Sequence, residues 1–443
     1  MGGLDLGLDA ERRVASTAPP NQDSLKEDLM QAPGSQQIDR TTFAAPDGTP
    51  AAPARGLTRR VFLKRFGVGA GAVVIVASGG ITWRALDQGV FAPGTGPAYE
   101  PWHLDLSSGG PMSLVGAAIL AANAHDSQPW AFRVTPDQID LFAAPERSIG
   151  AMDPLDREMY LSLGCALENL VLAAKAHGYR TAIRLMPTAG DPTHVASVAL
   201  APGPSEPSDL YAAIPLRHTN RAAYRTDRQV PPALLEEIGS LADAHEVSFA
   251  WLSIDHDKAR FSQLTIEATA AIIADPEQAR DDFAWYRQDR ADIQRRRDGI
   301  TMDAGGMGDI QRLLVRMLPP SSQATMQQGW LDATRDRQVS TAAAFGMITV
   351  RNATDQRQRL MAGRLLQRIH LCATTEGLAL QPLNQIFERA DREASAGLEP
   401  VFARAVDGLS SDGWHGVTAF RIGYPESAAA SSPRRAAEDV IRI

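Results

Sequence analysis

The sequence predicts an α+β fold built from two related halves, on the strength of one repeated segment and four strand signals. The segments 164–178 and 363–377 both repeat apolar residues at helical spacing, and both end in a glycine that can close a helix. They share five of fifteen positions, including the first and last glycine, which indicates a duplication. Runs typical of strands lie at 139–142, 247–251, 345–350 and 417–422. Strands mixed with long helices predict one sheet-and-helix layer in each half.

Composition restricts the class of protein before any motif is considered. The chain has 443 residues, which suits two domains or one duplicated domain. Its 44% hydrophobic and 22% charged residues exclude a wholly disordered, a collagen-like and a multi-span membrane protein. A formal net charge of −8 leaves no basic surplus to neutralise phosphates, so we expect no nucleic-acid partner. With only Cys165 and Cys372, the sequence predicts neither a disulfide framework nor a cysteine metal site.

The first 86 residues are predicted to lie outside the folded body. Residues 1–57 are rich in Pro, Ala, Gly, Asp and Gln without an apolar period, which predicts a disordered extension. Residues 58–86 begin with Thr58-Arg-Arg-Val-Phe-Leu-Lys64 and resemble a twin-arginine export signal. The uncharged run at 66–83 would span about 27 Å as a helix, which is near the thickness of a bilayer core.

Export by the twin-arginine machinery would have two consequences. That route moves proteins that are already folded, so the signal favours a protein whose cofactor is inserted in the cytoplasm. No good Ala-x-Ala cleavage site follows the run. We therefore expect an uncleaved helix that anchors the body at the periplasmic or another extracytoplasmic face. The alternative is a chance arginine pair beside a core helix.

The two predicted halves differ in length. We place the first at 95–210 and the second at 211–443. Residues 122–126 of the first half show a weaker similarity to residues 242–246 of the second. The segment in the first half lies much closer in sequence to its repeated helix than the segment in the second half does. The second half therefore contains an insertion at about 255–340, whose pattern is mostly helical.

Three motifs carry the chemistry. Ser127-Gln-Pro-Trp-Ala-Phe-Arg-Val134 opens a strand in the first half, and Arg217-His-Thr-Asn-Arg221 lies at the start of the second half. Phe420-Arg-Ile-Gly-Tyr-Pro425 runs on to Arg434 and Arg435. In this order, with the duplication and the export signal, residues 95–443 resemble the flavin-dependent nitroreductase superfamily, and in particular its double-length, exported, Acg-like branch.

This resemblance implies a nitroreductase-like fold with FMN between two subunits. In that superfamily a basic run from one subunit holds the phosphate, and an Asn-x-Gln-Pro-Trp segment from the other closes over the flavin ring. Here the basic run occurs only in the second half and Gln-Pro-Trp only in the first. The two halves of one chain are thus expected to form an internal pseudo-dimer with one complete FMN site, and the protein is expected to act as a monomer.

The roles of individual residues follow from the resemblance. Arg217 and Thr219 would take the phosphate end, and Arg221 would lie near the ring, where a fixed cation stabilises the charge of the reduced flavin. The guanidinium groups of Arg434 and Arg435 would complete a phosphate clamp. The full set of predicted cofactor-binding residues is Asn123, Asp126, Gln128, Arg217, His218, Thr219, Arg221, Gln381, Pro382, Leu383, Arg434 and Arg435.

Asp126 departs from the family pattern, in which Asn is usual. An ionised Asp side chain only accepts hydrogen bonds, so we expect Asp126 to hold a loop N–H instead of a flavin carbonyl. Each motif also has a purely structural alternative. The basic run can be a solvated turn, Gln128–Trp130 can be a turn with a core tryptophan, and His125 can be a structural histidine.

The expected function is two-electron transfer through N5 of the flavin. No catalytic residue and no metal is predicted, because the flavin carries the reaction. No zinc-protease, nucleophile-elbow or P-loop motif supports a hydrolase or NTPase. We expect an exported FMN-dependent oxidoreductase that moves electrons from a small-molecule donor, a reduced nicotinamide or another, to a small acceptor such as a nitroaromatic or a quinone. The alternatives are a non-catalytic protein that stores FMN and an anchored structural domain without a cofactor.

The export signal can be tested with the double substitution Arg59→Lys and Arg60→Lys. The charge is retained, so a purely electrostatic interaction with the membrane survives, whereas a receptor that recognises the arginine pair should reject the variant. We expect the double variant to remain in the cytoplasm in folded form, as measured by cell fractionation beside the wild type. A double-lysine form that still reaches the periplasmic face would identify the run as an ordinary membrane anchor.

Overall fold

Two four-stranded antiparallel sheets organise the computed structural model of this protein, which describes Gln88 and residues 93–105, 109–242 and 245–442. The described residues belong to one unit, Arg59–Ile443. The predicted extension 1–57 and the predicted export segment 58–86 lie outside the described residues.

The first half folds into one sheet with a long helix packed against it. Its elements are α1 (Pro111–Ala118), β1 (Trp130–Val134), β2 (Gln138–Ala143), α2 (Arg157–Ala176), β3 (Tyr179–Leu185), β4 (His194–Pro202) and α3 (Asp209–Ala212). The strand order is β1-β2-β4-β3, and every neighbouring pair is antiparallel. The 20-residue helix α2 connects β2 to β3.

The second half repeats this arrangement around an insertion. Its elements are α4 (Pro232–Gly239), β5 (Val247–Leu252), α5 (Asp255–Ala274), α6 (Pro276–Phe283), β6 (Tyr286–Arg287), α7 (Arg290–Arg296), β7 (Ile300–Thr301), α8 (Asp309–Met317), α9 (Gln323–Ala333), β8 (Ala344–Val350), α10 (Gln356–Thr375), β9 (Ala379–Pro382), α11 (Gln385–Ala396), α12 (Val401–Asp407) and β10 (His415–Gly423). The strand order β5-β8-β10-β9 matches the first sheet position for position, and α10 occupies the place of α2.

The insertion runs between β5 and β8 and is mostly helical. It contains α5 to α9, the short parallel pair β6 and β7, and a π-helical turn at Thr334–Val339. Phe261 of α5 packs against Phe345 of β8, with ring centroids 4.8 Å apart. This contact belongs to a second apolar core, which attaches the insertion to the second sheet.

The four strand signals of the sequence coincide with β2, β5, β8 and β10. The strand expected after Gln128-Pro129 is β1, whereas β3, β4, β6, β7 and β9 carried no prediction. The boundary that we placed between residues 210 and 211 falls inside the short helix α3.

The two repeated helices cross at their matching glycines. A Cβ atom on Gly164 would collide with the carbonyl oxygen of Leu360, and one on Gly363 would collide with that of Leu161. Each glycine thus faces the carbonyl three residues before the other glycine, which makes the crossing symmetric. The Cys165 thiol donates to the carbonyl oxygen of Gly363 at 3.2 Å. The crossing therefore lets α2 and α10 meet backbone to backbone.

A single apolar core surrounds this crossing and includes residues of both halves. Leu163, Leu167 and Leu170 of α2 are fully buried in it, as are Leu371 and Ile369 of α10. Both cysteines are free and buried on these helices. Burying so much apolar surface between the halves makes their packing a main source of stability.

None of the helices in the described part of the chain is long and apolar enough to cross a membrane. The described residues also contain no cluster of three or more His, Cys, Asp or Glu side chains that could hold a metal ion.

The glycine crossing predicts a specific loss of stability. Gly164→Ala or Gly363→Ala places a methyl group against backbone that cannot move aside, so each should lower the free energy of unfolding by about 1–3 kcal/mol. Urea unfolding followed by circular dichroism measures the change. Gly329→Ala is the matched control, because Gly329 lies inside α9 with no atom within 4 Å of the added methyl. This control should gain up to about 1 kcal/mol. A loss at Gly329 equal to that at the crossing would contradict the model of close packing.

Candidate functional site

The basic run of the second half lies at the junction of the two halves, with Arg217 and Asn220 buried. Arg217 is 1% exposed, and its Nη2 donates to the carbonyl oxygen of Leu120 at 2.9 Å. Leu120 lies two residues beyond the end of α1. A cation from the second half is therefore held by a backbone carbonyl of the first half.

Trp102 covers this buried cation. The Trp102 ring lies 4.4 Å from the His218 ring, centroid to centroid, and the guanidinium carbon of Arg217 lies 5.9 Å from the Trp102 ring. Burial, with the charges of Arg217 and Arg434 acting in the same direction, lowers the pKa of His218 to about 3. His218 is therefore neutral at physiological pH, and the positive charge of this corner comes from arginines.

Arg221, at the end of the run, is held through its backbone neighbours. Its Nη1 donates to the carbonyl oxygen of Ala304 in the insertion at 3.4 Å. The fully buried Arg421 of β10 donates to the carbonyl oxygens of Asn220 and Ala222, at 3.3 and 2.7 Å. Arg421 also donates to Oε1 of Gln381 at 2.8 Å. Arg421 thus fixes the backbone of the loop that carries Arg221.

The first-half motif begins with a strained turn. Three non-glycine residues within four positions, His125, Asp126 and Gln128, have positive φ angles of 49°, 53° and 51°. The turn is held by Asn123, whose Oδ1 accepts from the backbone N–H of Gln128 at 2.8 Å. Contacts from the insertion also hold it, because Gly299 N–H donates to the Asp126 carbonyl oxygen at 3.1 Å. This turn places the Asp126 side chain beside Arg434.

Asp126 pairs with Arg434 and with the amide of Asn123, and not with a loop N–H as expected from the sequence. A buried carboxylate needs a counter-charge, and Arg434 supplies one. Burial raises the pKa of Asp126 to about 6, although Arg434 opposes the shift. The second carboxylate oxygen, Oδ2, has no hydrogen-bond partner in the described structure.

The two consecutive arginines near the C-terminus face different ways. Arg434 is 2% exposed and, besides Asp126, donates to the carbonyl oxygen of Ala121 at 3.1 Å. Arg435 instead donates to the carbonyl oxygens of Gln128 and Trp130, at 2.6 and 3.2 Å. Arg434 therefore lines the same cleft as the basic run. Arg435 instead holds the C-terminal segment against the start of β1 through its hydrogen bonds.

Most of these groups line a cleft that is partly open to solvent. Its walls come from the first half, the basic run, the insertion and the C-terminal segment. The lining residues are Ala122, Asn123, Asp126, Arg217, His218, Thr219, Arg221, Gly299, Ile300, Ala304, Ala430, Ser432 and Arg434.

The cleft carries a surplus of buried positive charge. Three guanidinium groups, those of Arg217, Arg221 and Arg434, face one carboxylate, so the net charge is plus two. Burial and the nearby charge of Arg434 lower the pKa of Arg217 to about 9, and burial also lowers the pKa of Arg221. Three nitrogen atoms here have no partner within the described structure: Nε of Arg217, Nε of Arg434 and Nδ1 of His218. Such a site suits a ligand with two negative charges and several acceptor oxygens.

Of the twelve predicted site residues, seven line the cleft, and they come from both halves. Gln128 is fully buried behind the cleft, where its side chain donates to the carbonyl oxygen of Arg297 at 2.8 Å. Gln381 and Pro382 lie in β9, with Gln381 bound to Arg421, and Leu383 is buried in the second core. The cleft is therefore not lined by Gln128, Gln381, Pro382, Leu383 or Arg435.

Several lining residues had no signal in the sequence. Gly299, Ile300 and Ala304 come from the insertion, and Ala430 and Ser432 come from the C-terminal segment. Small and apolar residues in a long insertion carry no chemical signature, so only tertiary packing places them here. Trp102 was also missed, although it contacts two residues of the basic run.

Comparison with known proteins finds relatives in Mycobacterium tuberculosis. The chain is 28% identical over 287 residues to a Mycobacterium tuberculosis protein with the name "Putative NAD(P)H nitroreductase", in strain CDC 1551 / Oshkosh and in strain H37Rv. The alignment covers 63% of this chain and 77% of that relative. No protein-family model matches the chain.

Solved structures align with about half of the chain. One is the FMN-dependent nitroreductase NfnB from Mycobacterium smegmatis in complex with NADPH, at 16% identity, with 53% of this chain and 97% of that chain covered and a TM-score of 0.34. Another is the FMN and NADPH-dependent nitroreductase NfnB from Sphigopyxis sp. strain HMH, at 20% identity, with 53% and 98% covered and a TM-score of 0.33.

The charge balance of the cleft predicts the effect of Asp126→Asn. Removing the carboxylate raises the net charge and frees Arg434, so the variant should bind inorganic phosphate roughly tenfold more tightly than the wild type. The shift of the thermal unfolding midpoint with phosphate concentration measures the binding. Asp227→Asn is the matched control, because Asp227 also pairs with an arginine, Arg225, but on the exposed surface. Equal phosphate responses in both variants would show that Asp126 does not oppose anion binding.

Proposed function

We propose that this protein is an FMN-dependent oxidoreductase of the nitroreductase type, which reduces a small acceptor by two electrons. Two lines of support meet here. The relative named as a putative NAD(P)H nitroreductase aligns over 63% of the chain, and seven of the twelve residues that the sequence assigned to FMN line one cleft between the two halves.

The observation that carries the proposal is the unbalanced positive charge of the cleft. A phosphate monoester such as that of FMN carries about two negative charges at neutral pH and offers three acceptor oxygens. The cleft has a net charge of plus two and three nitrogen atoms without a partner, at Arg217, His218 and Arg434. Charge and hydrogen-bonding capacity therefore both fit a phosphorylated ligand.

Arg217, His218 and Arg434 would hold the phosphate end of FMN. Arg221 lies at the other end of the basic run, and its cation would stabilise negative charge on the flavin ring. FMN, when bound, supplies the ring that accepts and returns two electrons. The residues of this chain would bind and orient it, and Gly299 and Ile300 of the insertion would form one wall of the site.

We also propose that the two halves act as an internal pseudo-dimer with one FMN site. The equal strand orders of the two sheets and the symmetric crossing of Gly164 and Gly363 support this view. Only one cleft can combine the basic run at Arg217–Arg221 with Asp126, since the sequence contains each of them once. The chain would then function as a monomer.

A second function, storage of FMN without catalysis, is favoured by how firmly the insertion is attached beside the cleft. Arg147 pairs with Asp298 at 2.6 Å, and His125 bonds to Asp282 at 3.0 Å. Gly306 packs directly against the backbone of Arg221. A wall held in this way could keep acceptors from a bound flavin.

The proposed place of action is the extracytoplasmic face of the membrane, reached by the twin-arginine route. The arginine pair Arg59-Arg60 and the uncharged run 66–83 support it. The electron donor is then a small molecule available at that face, either a reduced nicotinamide or another two-electron donor.

The proposed function predicts a yellow protein with one FMN per chain. Released flavin measured against protein mass gives the stoichiometry, and two FMN per chain would contradict the pseudo-dimer model. Arg217→Ala should be folded but colourless, whereas Arg225→Ala, an exposed arginine of the same segment, should stay yellow.

Addition of NADPH separates a nicotinamide-dependent oxidoreductase from a storage protein in the same sample. An oxidoreductase that takes electrons from nicotinamide bleaches, and added acceptor restores the colour. A storage protein stays yellow with NADPH and bleaches only with dithionite. A colourless protein that takes up no added FMN would refute both.

A further inference from the structure

His370 lies directly behind Arg217 and has no role in the function described so far. It lies in the C-terminal half of α10 and is 1% exposed. Its Nδ1 lies 3.4 Å from Nη1 of Arg217. Arginine can only donate hydrogen bonds, so Nδ1 of His370 must be the acceptor and the ring proton must be on Nε2.

The surroundings of His370 keep it in this neutral, accepting form. Burial holds the pKa of His370 well below its usual range, and the charge of Arg217 acts in the same direction. A hydrogen bond to the backbone of His218 opposes this shift. One imidazole therefore contacts both the guanidinium of Arg217 and the backbone of the next residue.

The position of His370 in the second half can be compared with its counterpart in the first half. When Gly363 is matched with Gly164, His370 corresponds to Val171, which is buried on α2. The half that carries the basic run thus has an acceptor at this place in its long helix. The half without a basic run has a plain apolar residue there, as a core position normally would.

Arg217 needs such a support because its position is electrostatically unfavourable. Arg434 lies close enough to lower the pKa of Arg217, and no carboxylate hydrogen-bonds to Arg217 in the described structure. The carbonyl oxygen of Leu120 holds Nη2, and His370 holds Nη1, which leaves Nε without a partner. Without His370 the guanidinium would keep one hydrogen bond and could turn away from Arg434.

We propose that His370 is a positioning residue, which fixes the Arg217 guanidinium and thereby gives the cleft its preference for phosphorylated over unphosphorylated flavin. The proposal rests on the proposed binding of FMN. His370 acts through Arg217 and does not itself line the cleft. Its loss should therefore weaken the binding of a phosphate group and leave the binding of a flavin ring unchanged.

The test compares the dissociation constants of FMN and of riboflavin, which lacks the phosphate, by quenching of flavin fluorescence. His370→Val installs the residue of the first half and should weaken FMN binding roughly tenfold, with riboflavin binding unchanged. His370→Asn places an acceptor at the same distance from Cα and should restore the FMN preference. Ile369→Val, a neighbouring buried substitution on α10, is the control and should leave the ratio of the two constants unchanged.

Three outcomes would overturn the proposal. In the first, His370→Val changes both flavins equally, as a general loss of folding would. In the second, His370→Asn behaves like His370→Val. In the third, His370→Val still lowers the FMN preference in an Arg217→Ala background, where a residue that acts through Arg217 has nothing left to position.

Inorganic phosphate separates a failure of this proposal from a failure of the proposed function. If the wild type binds neither flavin, FMN binding is refuted, and the phosphate-dependent thermal shift then decides the role of His370. A shift that is present in the wild type and reduced in His370→Val supports the positioning role. An equal shift in both, or none in either, refutes it.

Discussion

The contact on which the rest of this structure depends is the backbone crossing of α2 and α10 at Gly164 and Gly363. Each glycine lies against a carbonyl of the opposite helix, and a single methyl group on either would collide with that backbone. Because the helices meet this closely, the residues around them form one apolar core across both halves. The crossing also brings the end of α1 in the first half beside the basic run of the second, so the cleft exists only because the halves meet at this distance.

The cleft shows how a protein can keep several cations buried without full compensation. The guanidinium groups of Arg217 and Arg434 each donate to a backbone carbonyl just past the end of α1, those of Leu120 and Ala121. These carbonyls carry a partial negative charge but no full charge. The single carboxylate of Asp126 balances one guanidinium, and the remaining charge is available to a dianionic ligand. Burying these cations costs free energy, and the binding of a dianionic ligand would offset that cost.

The fold was largely accessible from the sequence because its signals are periodic. The apolar repeats of α2 and α10 and the glycines after them, Gly178 and Gly377, which have φ angles of 77° and 67°, mark both long helices. The strands β2, β5, β8 and β10 lie in the interior of the sheets or carry dense β-branched and aromatic residues. By contrast, β3 alternates half-buried and exposed residues at a sheet edge, and β9 has only four residues, so neither gave a clear pattern.

The sequence by itself indicated, through the resemblance of its motifs to a known family, that the basic run, the Asp126 turn and the C-terminal arginine pair would lie near one another. It could not determine which of two adjacent arginines faces the cleft, because Arg434 and Arg435 differ only in the direction that the backbone gives them. Nor could it indicate that Gln381 binds Arg421, that Gly299 and Ile300 of the insertion form a wall, or that His370 lies behind Arg217. These contacts join residues far apart in the chain, and only the packing of the two halves and the insertion decides them.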